Sequence, residues 1–109
     1  MVYDEMLAAR VRDLVKDIPG FDEKKMFGGV GYLLNGNMAC GVNKKDLIIR
    51  VGPEGYESGL QKPHTKQFDM TGRPMTGWIV VKEEGHTSDN DLAGWVQKGV
   101  ESAISLPPK

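Results

Sequence analysis

Apolar residues recur at helical spacing near the amino end of the chain. They fall every three or four positions across residues 4–18, which predicts a helix that buries one face. The apolar stripe consists of Leu7, Val11, Leu14, Val15 and Ile18. Asp4 is a typical N-cap residue, and Pro19 followed by Gly20 ends the helix.

A second helix is predicted near the carboxyl end, beginning after Ser88 and ending before Pro107. Asp91 lies three residues after Ser88, which is the spacing of a capping box. The core stripe consists of Leu92, Trp95, Val96, Val100 and Ala103, with Ile104 as a further candidate. Gly94 and Gly99 each cost about 1 kcal/mol relative to alanine inside a helix. We therefore expect a neighbouring element to pack closely against both glycines.

Between the helices, short apolar runs alternate with glycine-rich turns, which is typical of strands. Four strands are predicted at residues 24–27, 30–34, 38–42 and 47–51, and a fifth at residues 78–82. Asn35 and Gly36 form a strong hairpin signal, because a type I′ turn needs a positive φ at both central residues. A short helix is predicted at residues 53–60, and residues 62–76 are predicted to form a long ordered loop.

This order of elements contains no full β-α-β alternation, which excludes a doubly wound parallel sheet. The sequence therefore predicts an α+β fold, with an antiparallel sheet of about five strands and the N- and C-terminal helices packed on it. A chain of 109 residues has the size of one domain, which we assign to residues 1–109.

Composition narrows the class of protein only slightly. The formal net charge is −1, whereas a general polyanion binder carries a strongly positive surface. Cys40 is the only cysteine, so an intramolecular disulfide is impossible. The amino end lacks the features of a signal peptide, and no apolar run reaches the length of a membrane span. We therefore expect a cytoplasmic protein that does not contact membranes.

Charge is distributed unevenly along the chain. Residues 44–82 carry seven basic and four acidic side chains, whereas residues 83–109 carry two basic and five acidic ones. A basic middle followed by an acidic tail could steer a partner or a second copy of the chain.

The residues that could carry chemistry are few. Cys40 and His64 are the one candidate pair of nucleophile and base, but Cys40 lies in a predicted central strand, where cysteine is usually buried. One cysteine with two histidines cannot complete a tetrahedral zinc site without carboxylates or a second chain. His86 is expected to be a solvated turn residue. We therefore expect no metal and no cofactor, and a small-ligand binder or thiol enzyme using Cys40 and His64 remains an alternative.

The most informative stretch is residues 63–78, where cationic and aromatic side chains alternate. Arginine, tryptophan, phenylalanine and methionine are enriched at the cores of protein interfaces. The predicted binding surface consists of Arg50, His64, Lys66, Phe68, Arg73 and Trp78. The same stretch could instead anchor the loop, with its aromatic residues in the core and its cations bonded to carbonyl groups.

Nucleic-acid binding is the alternative use of the basic region 44–75. Aromatic rings can stack on bases while cations neutralise phosphates. The cations concerned are Lys44, Lys45, Arg50, Lys62, Lys66 and Arg73.

Several collinear motifs resemble the N-terminal domain of the TfoX/Sxy competence-regulator family. They comprise residues 26–29, 38–42, 47–52, 63–78 and 106–109, so the resemblance covers nearly the whole chain. The resemblance implies a small domain with an antiparallel sheet flanked by helices, in a bacterial or archaeal cytoplasmic protein linked to the regulation of DNA-uptake genes. It implies no enzyme activity and no catalytic residue. The full-length regulators carry a second, C-terminal domain, so we expect this chain to be a stand-alone version of the first.

The favoured hypothesis is therefore a non-enzymatic regulatory domain that binds a protein partner or forms a homodimer. Nucleic-acid binding and the Cys40–His64 hypothesis are the two alternatives.

Overall fold

The computed structural model describes residues 3–26, 29–68 and 76–107. Three helices are present in this part of the chain: α1 (Glu5–Val15), α2 (Gly52–Leu60) and α3 (Asp89–Ile104). The strands are β1 (Phe21–Met26), β2 (Gly29–Leu34), β3 (Asn37–Asn43), β4 (Asp46–Arg50), β5 (Thr65–Gln67) and β6 (Trp78–Val81). A short 3-10 helix, Glu83–Gly85, connects β6 to α3.

The six strands form one antiparallel sheet in the order β1-β2-β3-β4-β6-β5. This arrangement confirms the predicted α+β fold and the four-stranded meander. The prediction of about five strands missed β5, which lies inside the segment predicted to be a loop. The side-chain oxygen of Thr65 donates to the carbonyl oxygen of Lys62 at 2.8 Å, which attaches β5 to the chain leaving α2.

Local signals in the sequence set the hairpin turn and the helix starts as predicted, whereas α1 ends at Val15 and not at the predicted residue 18. Asn35 and Gly36 have φ values of 54° and 84°, as the type I′ hairpin requires. The carboxylate of Asp4 accepts hydrogen bonds from the backbone nitrogens of Met6 and Leu7 at the start of α1. At the start of α3, the hydroxyl of Ser88 accepts one from the backbone nitrogen of Asp91.

All three helices cover the same face of the sheet. One row of directly paired residues marks that face: Tyr32, Cys40, Ile49 and Ile79. The hydroxyl of Tyr32 donates to the carbonyl oxygen of Ala8 in α1 at 2.8 Å, Gly99 of α3 lies over Cys40, and Gly59 of α2 lies over Ile79. Within the described residues, no helix packs on the opposite face, which we call the helix-free face.

The two glycines of α3 differ in their surroundings. A Cβ atom built on Gly99 would lie 2.4 Å from the carbonyl oxygen of Ala39, so α3 approaches the backbone of β3 closely at this point. The expected close packing is therefore confirmed at Gly99. It is wrong at Gly94, where nothing lies within 4 Å of the added atom because that side of α3 faces solvent.

Both ends of the described chain attach to β3. Near the amino end, Tyr3 forms a parallel bridge with Lys44, just beyond the last residue of β3. Near the carboxyl end, the side-chain nitrogen of Asn37 donates to the carbonyl oxygen of Pro107 at 2.9 Å. Asn37 is the first residue of β3, so the two attachments lie at opposite ends of this strand. In the part of the chain that the structure describes, no helix is long and apolar enough to span a membrane.

Candidate functional site

The sheet brings four of the six predicted binding residues together on the helix-free face. Arg50 of β4 pairs directly with Trp78 of β6, and these residues point away from the helices because their neighbours Ile49 and Ile79 point toward them. Lys66 of β5 pairs with Val80 of β6 on the same face. Phe68 follows β5, and its ring centroid lies 6.2 Å from that of Trp78. We call Arg50, Lys66, Phe68 and Trp78 the basic–aromatic cluster.

Arg50 and Trp78 form the most specific contact of this cluster. The central guanidinium carbon of Arg50 lies 4.6 Å from the ring centroid of Trp78, within the range of a cation–π interaction. Burial lowers the pKa of Arg50 from its ordinary value, because desolvation disfavours the charged form. Arginine nevertheless stays protonated at physiological pH, so this contact holds a fixed positive charge.

A groove of about 600 Å³ lies next to the cluster on the helix-free face. Ile48 and Val80 line it and are only 6% and 5% exposed, so they supply an apolar floor. The complete described lining is Asn43, Lys44, Asp46, Ile48, Lys66, Gln67, Phe68 and Val80. Two lysines and one aspartate around an apolar floor make a surface suited to a chain with acidic and apolar side chains.

Two of the predicted binding residues do not extend this cluster. His64 is exposed at the turn before β5, where its φ is 64° and its carbonyl oxygen accepts a hydrogen bond from the backbone nitrogen of Lys82. A Cβ atom built on Gly85 would lie 3.1 Å from the Cβ atom of His64, so this residue lies against the 3-10 helix. Arg73 lies outside the described residues.

The lysine and arginine residues that the nucleic-acid hypothesis requires lie in different parts of the structure. Lys44 lines the groove together with Lys66. Lys45 instead pairs with Glu83 at 4.0 Å. Lys62 lines a separate cleft between α2 and α3, in the helix layer. The described cations therefore do not form one continuous basic stripe.

The Cys40–His64 pair does not assemble. Cys40 is completely buried on β3 beneath α3, and burial raises the pKa of its thiol to about 12. A thiol in that environment is protonated at neutral pH and is a poor nucleophile. Among the described residues, no group of three or more histidine, cysteine or acidic side chains could hold a metal ion.

The expectation that His86 is solvated is wrong. His86 is 3% exposed, and its Nε2 donates to the carbonyl oxygen of Lys45 at 2.8 Å. The 3-10 helix turns this side chain inward, where it links the end of β6 to the turn between β3 and β4. The polar neighbours Gly85 and Thr87 gave no sign of this in the sequence.

The family comparison agrees with the fold. The family model described as the TfoX N-terminal domain matches residues 13–103. This chain belongs to that family. Membership makes it a competence-related regulatory domain, from a family that is not known as an enzyme family. A search of curated proteins finds none that matches the chain.

Sequence reasoning did not identify the floor of the groove or the cleft beside Arg50. Ile48 and Val80 appear in the sequence as ordinary core residues of strands, because both strands are apolar on both faces. Their position on the helix-free face becomes visible only once the register of β4 and β6 is known. Gly52, Ser102 and Ser105, which line the cleft beside Arg50, come together from the start of α2 and the end of α3.

Proposed function

We propose that this TfoX N-terminal domain is a non-enzymatic, cytoplasmic regulatory module that binds a protein partner through the helix-free face of its sheet. The observation that carries this proposal is the basic–aromatic cluster on a face that no described helix covers. Cluster and groove together offer two aromatic rings, an apolar floor and fixed positive charge. Aromatic and arginine side chains of this kind supply most of the binding energy in protein interfaces.

Charge supports a partner that is acidic in the contacting segment. Lys44 and Lys66 face the groove, and Arg50 lies on the same face. Asp46 is the acidic side chain of the described groove lining, so the net charge of this lining is positive. Complementary charge would speed the encounter and disfavour basic partners.

The edges of the sheet argue against self-association by strand pairing. The edge strand β1 carries Asp22, Lys24 and Lys25 as exposed charged residues. The opposite edge strand, β5, has only three residues, including the exposed Lys66. Short strands and charged side chains are the usual devices that prevent pairing between sheet edges. A homodimer would therefore have to form through a face of the molecule and not through a sheet edge.

The absence of an enzymatic role is supported by the surroundings of Cys40. Its side chain is sealed beneath α3 and does not meet His64, which is exposed at the start of β5.

The test compares capture of proteins from a bacterial lysate by the tagged chain and by three variants. Lys66→Glu and Phe68→Ala alter the proposed face, and Lys98→Glu removes the same type of charge from α3 on the opposite side. A true partner is captured by the wild type and by Lys98→Glu, is lost with the other two, and binds again as a purified protein. Truncating an interface anchor such as Phe68 should weaken that binding by about 10- to 30-fold.

Three outcomes would contradict the proposal. Equal capture by all variants would move the interface elsewhere. A gel shift with DNA that falls steeply with salt and disappears in Lys66→Glu would favour the nucleic-acid hypothesis. A wild-type dimer in light scattering that Phe68→Ala converts to a monomer would replace the external partner with a second copy of the chain.

A further inference from the structure

Arg50 is a half-buried cation without a carboxylate partner among the described residues. Arg10, Arg12, Lys16 and Lys45 each lie within 4.0 Å of an acidic side chain, whereas Arg50 pairs with none. Its Nε atom is buried and makes no hydrogen bond. A buried donor without an acceptor normally costs about 1–3 kcal/mol, and more when it is charged. The fold therefore maintains an unsatisfied donor at this position.

Trp78 lies directly beside the Arg50 guanidinium, whose central carbon is 4.6 Å from the ring centroid. A guanidinium that stacks on an aromatic ring keeps the N–H groups along its edge free to donate. These groups form a planar fork that matches the two oxygens of a carboxylate or phosphate. Because Trp78 is also the cross-strand partner of Arg50, strand pairing keeps the two side chains adjacent.

Arg50 is the last residue of β4 and Trp78 the first of β6, so both also reach the end of the sheet, where they line a cleft of about 200 Å³ with the start of α2 and the end of α3. Pockets for whole small molecules usually occupy about 300–1,000 Å³, so this cleft suits a single functional group carried on a larger chain. The hydroxyl of Ser105 already donates to the carbonyl oxygen of Ser102 at 2.7 Å. Of the two serine hydroxyls in the lining, that of Ser102 is therefore the one placed to donate to a bound group.

Two further residues shape the cleft. Gly52 has a φ of 77°, and a Cβ atom built there would lie 3.5 Å from the hydroxyl oxygen of Ser102 and 3.3 Å from a carboxylate oxygen of Glu54. Glycine at this position keeps the space between the two side chains open. Glu54 is the acidic group of the described lining, so it opposes the entry of an anion and supplies a way to test the charge preference.

We propose that the cleft beside Arg50 binds one oxyanion group and that, given the proposed function, this group is a carboxylate side chain of the protein partner. The two terminal nitrogens of the guanidinium donate to the two oxygens, because Nε itself is buried, and the hydroxyl of Ser102 donates a further hydrogen bond. The basic–aromatic cluster would then anchor an acidic residue of the partner at Arg50, while apolar residues of the same partner cover Ile48 and Val80.

The test uses nuclear magnetic resonance of the whole chain labelled with ¹⁵N. The Nε–H signal of Arg50 and the indole N–H signal of Trp78 are followed while N-acetyl-aspartate amide or inorganic phosphate is added. Saturable shifts with a dissociation constant of about 1–10 mM are expected for the carboxylate probe. The Nε–H signal of Arg12, whose fork is already occupied by Glu23, is the internal control and should stay unchanged.

Two variants separate the binding site from general charge effects. Arg50→Lys keeps the charge but loses the planar fork, so saturation at the Trp78 indole should disappear. Glu54→Gln removes the opposing charge, so binding of the carboxylate probe should tighten by about two- to fivefold. The second variant keeps the test valid if Arg50→Lys folds poorly.

Chemical shifts of Arg50 and Trp78 that still rise linearly at about 50 mM carboxylate would overturn the proposal. That concentration is at least about five times the expected dissociation constant, so a specific site would be close to saturation. Binding that Glu54→Gln leaves unchanged would also overturn it. Saturation by phosphate but not by the carboxylate probe would refute the carboxylate assignment and identify a phosphate-bearing ligand. If capture of the partner still depends on Lys66 and Phe68 while no oxyanion binds, only this inference fails. If an oxyanion binds but no partner is captured, only the proposed function fails.

Discussion

The contact between Gly99 and β3 leads to a sharp prediction about stability. In Gly99→Ala, the new methyl carbon would lie 2.4 Å from the carbonyl oxygen of Ala39, about 1 Å closer than the 3.4 Å at which ordinary contacts begin. The obstacle is a backbone atom of a central strand, which cannot rotate away as a side chain can. Helix α3 would have to move outward and loosen its contacts with the sheet.

The expected cost follows from two opposing effects. Overpacking a tight interior costs about 1–3 kcal/mol, and a backbone obstacle belongs at the upper end of that range. Replacing glycine by alanine inside a helix stabilises the helix by about 1 kcal/mol. Gly99→Ala should therefore lower the free energy of unfolding by about 2 kcal/mol.

Gly94 provides a matched control on the same helix. Because nothing lies within 4 Å of its added Cβ atom, Gly94→Ala should show the helix-propensity gain alone and raise the free energy of unfolding by about 1 kcal/mol. Urea unfolding followed by circular dichroism measures both variants, with the melting temperature as a second readout. The two melting temperatures should differ by about 12 °C or more. Equal stability of the two variants would refute the close approach of α3 to β3.

Three further outcomes test the core and the surface. Cys40, with a thiol pKa raised to about 12 by burial, should not react with a thiol reagent until denaturant is added; rapid labelling of the native protein would contradict its position. Tyr32→Phe removes the buried hydrogen bond to Ala8 and should cost about 0.5–1.5 kcal/mol in urea unfolding, with no loss expected if the hydroxyl is in fact solvated. The hydrogen bond from Arg12 lowers the pKa of Glu23, so its contribution to stability is present above the unfolded pKa and lost as pH falls through the folded one. Wild type should therefore exceed Glu23→Gln by at most about 1 kcal/mol at neutral pH, and this advantage should vanish between about pH 5 and 3; a constant difference would exclude the ion pair as its source.

Local chemistry explains which parts of the fold were predictable. The Asn35–Gly36 turn, the Asp4 cap and the apolar stripes depend on neighbouring residues, and they appear where the sequence predicted them, except that Leu14 and Ile104 are 43% and 56% exposed. Strand β5 was missed because three residues that include Lys66 and Gln67 show no alternation of apolar and polar positions. It forms because it can pair with the free edge of β6, which is a tertiary interaction that the local sequence does not encode.

The candidate surface was predictable in composition but not in arrangement. Arg50 lies outside the stretch of residues 63–78, yet strand pairing places it directly beside Trp78. The sequence indicates only the charge of Arg50, whereas its contact with the Trp78 ring and its unsatisfied Nε atom depend on the register of β4 and β6. His86 illustrates the same limit, because its burial depends on a carbonyl group 41 residues away in sequence.

The attachment of both chain ends to β3 has a mechanical consequence. A force applied between residues 3 and 107 would act nearly along β3, because its two anchors lie at Lys44 and Asn37. These anchors are about 23 Å apart, from the rise per residue of an extended strand. Hydrogen bonds from the backbone nitrogen of Asp4 to the carbonyl oxygen of Lys44 and from the side chain of Asn37 to the carbonyl oxygen of Pro107 hold the two ends on the strand, and these few bonds carry the load first. A pull on residues 3 and 107 should therefore detach both chain ends from β3 before the longer ladders to β2 and β4 are strained.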